Sequence, residues 1–263
     1  MSQISIRGVH KVFQSGGQDV HALQAIDLEV HRGEFICLLG PSGCGKSTLL
    51  NAVAGFSLPS SGTITVDGTL ITEPGPDRGM VFQEYALFPW MTVEQNIAFG
   101  LQIKGASKAS ILEKVDGLLA LLNLQDFKKR YPKDLSGGMR QRVAIARVLA
   151  IDSPILIMDE PFGALDALTR RNLQDELLRL WTELKKTILF VTHSIEEALY
   201  LADRTVVMTY RPGTIKRDLA IDLGRPRDVA SPPFNALKKE LSLLLMEEQG
   251  RHNQDEFRDA TGD

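Results

Sequence analysis

The stretch GEFICLLGPSGCGKSTLLNAVAG, residues 33–55, limits the possible folds more than any other part of the chain. EFICLLG is a short apolar run of the kind that fills a strand buried on both faces. STLLNAVAG then reads as a helix. Between them GPSGCGKS matches G-x-x-x-x-G-K-[ST], and a strand before it with a helix after it is the context of a phosphate-binding loop. The glycines let the backbone curl so that its N–H groups face phosphate oxygens, and the helix N-terminus adds its partial positive charge. The residues expected around the bound phosphates are Gly40, Pro41, Ser42, Gly43, Cys44, Gly45, Lys46, Ser47 and Thr48. Lys46 is expected to reach the β- and γ-phosphates, and the Ser47 hydroxyl to ligate Mg2+.

Nucleotide hydrolysis also needs a carboxylate on the magnesium side and a group that polarises water. SPILIMDEP supplies both, as a second buried strand over residues 155–158 running into Asp159 and Glu160. Carboxylates at the carboxyl end of a parallel strand face the crevice where ligands bind. Asp159 is expected to hold magnesium, directly or through water, and Glu160 to act on the attacking water. ILFVTHSIEEA reads as a third strand ending at His193. Taken alone, that histidine fits a structural role as well as a catalytic one.

The rest of the chain narrows the class. Its 263 residues carry a net charge of -3, which argues against a nucleic-acid binder working by bulk electrostatics. No apolar run approaches the length of a transmembrane helix, and the opening MSQISIRGVHKVF alternates like a strand without a signal-peptide core. The chain is therefore expected to be soluble and cytosolic. Two cysteines, Cys37 and Cys44, give no disulfide framework. Near the phosphates, Lys46 and local amides are expected to favour the Cys44 thiolate and speed its reactions. Cys37, on the buried strand, is expected to react slowly. PPFNALKKELSLLLMEE has helical apolar spacing, and the polar end EEQGRHNQDEFRDATGD reads as a frayed tail.

One stretch resists a purely structural reading. In LSGGMRQRVAIAR a serine and two glycines precede a helical run, although each glycine costs ~1 kcal/mol inside a helix. Ser136 can serve as the N-cap, which leaves Gly137 and Gly138 to be explained.

The order of these parts, GPSGCGKS, VFQEYALFP, LSGGM, ILIMDEP, GALD and VTH, resembles the nucleotide-binding subunit of an ABC transporter over about residues 4–230. The resemblance implies an α/β fold: a P-loop NTPase core with a RecA-like, mostly parallel sheet, an antiparallel β portion and a helical insertion over about 90–150. Residues 1–230 are then expected to form the nucleotide-binding domain, followed by a C-terminal helix and polar tail over 231–263. The resemblance further implies that Ser136, Gly137 and Gly138 bind the γ-phosphate of ATP held by a second ATP-binding subunit, closed head to tail. Met139 stands where glutamine is commoner. Phe13 falls where an aromatic ring stacks on adenine, although by itself it reads as core. Gln83 matches the glutamine that senses magnesium and the attacking water, Asp166 an aspartate that contacts the opposite subunit, and His193 the switch histidine. Apolar positions in KASILEKVDGLLALLNL are expected to be core.

A finer resemblance, in GPDRGMVFQ, LFPWMTV and DEPFGALDALTR, is to the nitrate/sulfonate/taurine importer group. It implies a membrane permease that docks near Tyr85, Leu87, Phe88 and Trp90, although these residues also fit a satellite core. It further implies an extracytoplasmic solute-binding protein, acting indirectly, and a peripheral position on the cytoplasmic face of the plasma membrane. The alternatives are a soluble ABC-type ATPase of DNA repair or translation, a P-loop kinase and a non-catalytic nucleotide-binding scaffold.

Overall fold

The computed structural model describes residues 2–15 and 17–261. The alternating N-terminal segment forms strand β1 (Ser2–Ser15), and β2 (Gln18–His31) follows. The apolar run before the glycine loop forms β3 (Phe35–Leu39), and the loop leads into helix α1 (Lys46–Ala54). Next come β4 (Ser61–Val66), β5 (Thr69–Leu70), β6 (Arg78–Val81), and helices α2 (Val93–Ile103), α3 (Lys108–Leu121) and α4 (Gly137–Ala150). β7 (Ile155–Asp159), α5 (Ala167–Leu184), β8 (Thr187–Thr192), α6 (Ile195–Leu201), β9 (Arg204–Met208), β10 (Ile215–Ala220) and α7 (Pro232–Thr261) complete the order. These elements fall into two compact units, Met1–Pro74 with Thr187–Asp263, and Gly75–Lys186.

In the first unit an antiparallel sheet runs in the order β2-β1-β4-β5. A second set runs β10-β9-β3-β8, with β3 parallel to both β8 and β9 and β10 antiparallel on β9. Cys37 lies opposite Phe190 on one side and Thr205 on the other. Every residue of β3 and β8 is buried, which is why β3 reads as an unbroken apolar run and β8 as an apolar run between two buried threonines.

Arg227, a buried arginine, ties the end of α6 to the segment after β10. Its guanidinium donates to the carbonyls of Leu199 and Ala202, both at 2.6 Å, and of Ile221 at 3.3 Å. The last carbonyls of a helix lack intrahelical partners, so these bonds satisfy groups that burial would otherwise leave unmet.

In the second unit β6 and β7 pair in parallel, from Arg78 opposite Ile155 to Val81 opposite Met158. α2 opens with a capping box between Thr92 and Gln95, and α3 with Ser107 as its cap. Val115, Leu118 and Leu119 of α3 are buried, as their spacing predicts, whereas Leu112 is exposed.

The C-terminal segment departs from the sequence expectation. α7 continues to Thr261, so residues 247–261 form helix rather than a frayed end; residues 262 and 263 lie outside the described residues. Among the described residues, no helix is long and apolar enough to cross a membrane.

Replacing Arg227 by alanine is expected to cost about 3 kcal/mol, since several buried carbonyls lose a charged donor together. Arg227→Lys cannot fork across both segments and is expected to recover less than half of that. Urea unfolding of the two variants checks both values.

Candidate nucleotide-binding site

The first unit carries the glycine-rich loop. Its helix, α1, has Gly45 as N-cap, in the left-handed region at φ 97°, and has no acidic residue in its first turn. Each of α2 to α6 instead directs a side chain at its own first turn: Thr92, Ser107, Ser136, Asp166 and Ser194. α1 therefore combines positive helix-end character with no capping side chain in the way, which suits an anion. Lys46 is buried, and its ammonium donates to the carbonyls of Gly40 and Pro41, both at 2.8 Å. Ser42 and Gly43 are exposed on the same loop, and in the first turn of α1 Ser47 is exposed and Thr48 half-buried. His193 is exposed directly after β8, beside a turn in which the Thr192 hydroxyl accepts the Ser194 N–H at 3.0 Å.

Two expectations for this unit are corrected. Phe13 is not core: its ring is 42% exposed on β1, with the Lys11 ammonium 5.1 Å from the ring centre. Nor is Cys44 predisposed to ionise. Its side chain is fully buried, and burial pushes the thiol up from its ordinary value, outweighing the opposing pull of Lys46, 3.7 Å away. Cys37 is raised well above its ordinary value for the same reason, with a further push from Glu197.

The second unit carries the carboxylates. β7 ends at Asp159, and Glu160 follows with φ 43°, an uncommon conformation for a residue with a side chain. The Glu160 carbonyl accepts the Gly163 N–H at 3.1 Å, closing a tight turn. A Cβ built on Gly163 would lie 3.8 Å from both Gln83 Nε2 and Glu160 Oε2, so these side chains flank one point. This turn thus brings together two of the site residues expected from sequence.

At the start of α4, Ser136 Oγ accepts the Met139 N–H at 3.3 Å, so the serine is the N-cap of its own helix. The glycines have a packing reason that the sequence did not disclose. A Cβ on Gly138 would lie 2.6 Å from Thr169 Cγ2, and one on Gly137 would lie 3.1 Å from Leu165 Cδ2. Asp166 caps α5 by accepting the Thr169 N–H at 3.0 Å, and that bond holds its carboxyl below the usual range.

The profile of the family described as ABC transporter matches residues 23–163, more than half of the chain. The chain belongs to the ABC transporter family. It is an ABC ATPase by domain and fold, with the parallel P-loop core, antiparallel sheet and helical insertion expected of one. It is 48% identical over 235 residues to the nitrate import ATP-binding protein NrtD of Synechocystis, covering 89% of this chain and 88% of that one. It is 47% identical over 259 residues to the taurine import ATP-binding protein TauB of Roseobacter denitrificans, covering 95% and 97%. A dimeric ATP-binding cassette solved in a post-hydrolysis state with ADP and Pi superimposes with a TM-score of 0.74. It is 31% identical and covers 84% of this chain and all of that one.

Sequence reading missed the residues that shape the glutamine loop of this cassette. Tyr85 and Ala86 both have positive φ, and Arg147 of α4 donates to their carbonyls, at 2.6 Å for Ala86 and 3.4 Å for Tyr85. Arg147 also stacks over Phe88, and Arg140 over Tyr85. Fully buried Asn96 accepts the Phe88 N–H, and its amide NH2 lies within hydrogen-bond distance of the carbonyls of Phe88, Met91 and Thr92. The available signal was the seven-residue spacing of the two arginines, which puts them on one helix face. Phe88 is half-buried against Phe99, while Trp90 is 70% exposed.

Gly138→Ala is expected to cost about 1–3 kcal/mol by overpacking against Thr169. Adding Thr169→Ser removes the offending methyl and is expected to restore part of it, as read by urea unfolding. Cys44 in the native cassette is expected to react with N-ethylmaleimide at pH 7.5 at least ~10-fold more slowly than glutathione, because less thiolate is present and the site is covered. Mass spectrometry of timed samples checks this, and faster labelling than glutathione would restore the thiolate reading.

Proposed function

We propose that this chain is the ATP-hydrolysing subunit of an importer and powers uptake of a small anionic solute of the nitrate, sulfonate or taurine type. The observation that carries the nucleotide part is the uncapped start of α1, with the Lys46 ammonium drawn in among the loop carbonyls. In this reading the loop amides and Lys46 bind the β- and γ-phosphates, and Phe13 offers an exposed ring to adenine. Glu160 polarises the attacking water, with Gln83 beside it and His193 as the γ-phosphate contact. Ser47, Asp159 and the Gln83 amide present hard oxygen donors of the kind Mg2+ prefers. When bound, the ion neutralises phosphate charge.

Two copies close head to tail. Ser136, Gly137 and Gly138 of each face the ATP of the other, and Asp166 contacts the opposite loop. Binding closes the pair, and hydrolysis reopens it. The cassette works at the cytoplasmic face of the membrane against a separate permease, which docks on the Tyr85–Trp90 segment, where Trp90 is largely exposed. A solute-binding protein outside the membrane delivers the anion. Identity of nearly half to nitrate and taurine import subunits favours this reading over a soluble repair or translation ATPase.

Glu160→Gln is expected to reduce steady-state ATP hydrolysis at least ~100-fold, since a general base contributes that much or more. ATP binding should persist, and gel filtration in ATP should show a stable dimer. A monomer with unchanged turnover would overturn the role given to Glu160.

A further inference from the structure

We propose that the C-terminal helix positions the phosphate-binding loop, through Glu248 of α7 and the Tyr210–Gly213 turn. The proposal rests on the nucleotide reading of residues 40–48.

The turn between β9 and β10 is internally braced. The Thr209 N–H donates to the Thr214 carbonyl at 3.0 Å, and the Thr214 N–H to Thr209 Oγ1 at 2.9 Å. One side of this turn bears on the loop. Arg211 Nε donates to the Gly43 carbonyl at 3.4 Å. Gly213 donates to the Ala22 carbonyl at 3.0 Å and accepts the Gln24 N–H at 2.9 Å. It also passes so close to Cys44 that a Cβ there would overlap the Cys44 carbonyl oxygen.

The Gly43 contact acts on a single peptide plane. A trans peptide points its C=O and the following N–H in opposite directions, so holding the Gly43 carbonyl toward Arg211 turns the Cys44 N–H away from it. That N–H is directed at the Pro41 carbonyl across the loop, at 3.4 Å. Arg211 therefore sets the direction of an amide in the anion-binding curl.

The other side of the turn is held by α7. Glu248 is 0% exposed; it accepts the Tyr210 N–H at 2.8 Å and the Lys216 ammonium at 2.6 Å. Lys216 also meets Glu247 at 2.6 Å, and Arg251 lies 3.4 Å from Glu248. The Tyr210 ring packs edge-on to His252, with centroids 4.6 Å apart. Simple attachment of a helix needs only apolar contact. A carboxylate withdrawn from water tolerates one placement, because slipping the helix by a turn would strand the charge. Glu248 thereby gives α7 a single register on the turn, and the turn passes that register to Gly43. Glu248 is a positioning residue and touches no nucleotide.

The test measures Mg-ADP affinity with a fluorescent ADP analogue, together with kcat and KM for ATP and thermal melting, in the full chain. Glu248→Ala and Arg211→Ala are each expected to weaken Mg-ADP binding about five- to tenfold, the effect of one lost hydrogen bond, and to raise KM while kcat stays within about twofold. The double variant should be no weaker than the worse single, because both act along one chain of contacts. Glu248→Gln keeps an acceptor for the Tyr210 N–H but loses the one for the Lys216 ammonium, and should recover part of the affinity lost in Glu248→Ala. A cooperatively melting Glu248→Ala protein with wild-type affinity, or additive losses in the double variant, would overturn the proposal. Should Glu248→Ala fail to fold, exposed Arg211 decides: unchanged affinity in Arg211→Ala overturns it. Wild-type protein that binds no Mg-ADP would instead sink the nucleotide reading itself.

Discussion

A multiply charged anion can be held without a dedicated cluster of basic side chains where backbone N–H groups converge and no capping side chain competes for them. α1 meets that condition, and much of the first unit follows from it. The N-cap must lack a side chain and adopt positive φ, which Gly45 does. The preceding strand must hold the loop still, and β3 does so from between β8 and β9 with every residue buried. A cation must sit within the curl without standing in the open, and Lys46 is held there by two carbonyls of the loop itself.

The same demand gives the β9–β10 turn its character. A glycine-rich loop has few side chains to pack, so its outer face must be supported by backbone approaching closely. Gly213 allows that approach, and Arg211 reaches the remaining carbonyl. Glu248 gives this support its register, at the cost of burying a carboxylate that Lys216 and a backbone N–H must satisfy.

The second unit solves a different problem, the presentation of short polar turns with defined directions. Glu160, Tyr85 and Ala86 all take positive φ without being glycine. Such residues persist only where their surroundings hold them. Arg147 holds the glutamine loop by its carbonyls, and Asn96 holds the segment that follows. Several polar residues in this unit do architectural work next to their proposed chemistry. Ser136 and Asp166 cap their own helices, and Gly138 lets α4 approach Thr169 on α5.

The local order of parts was legible in the residues because it depends on nearest-neighbour rules. An apolar run bounded by glycines makes a buried strand, a glycine before a lysine opens α1, and Asp159 must fall where β7 ends. What escaped the sequence depends on partners far along the chain. Lys46 suggested a thiolate at Cys44, but complete burial outweighs one nearby cation. An aromatic at position 13 reads as core until its strand is seen to leave the ring open. The last seventeen residues look too polar to order, yet α7 continues to Thr261. Sequence alone determined which chemical groups this cassette carries and on which element each sits, since periodicity and turn chemistry are local. Only the tertiary structure decided which groups are dry, which carbonyl meets which guanidinium and where α7 docks, because burial and long-range pairing arise from contacts between distant segments.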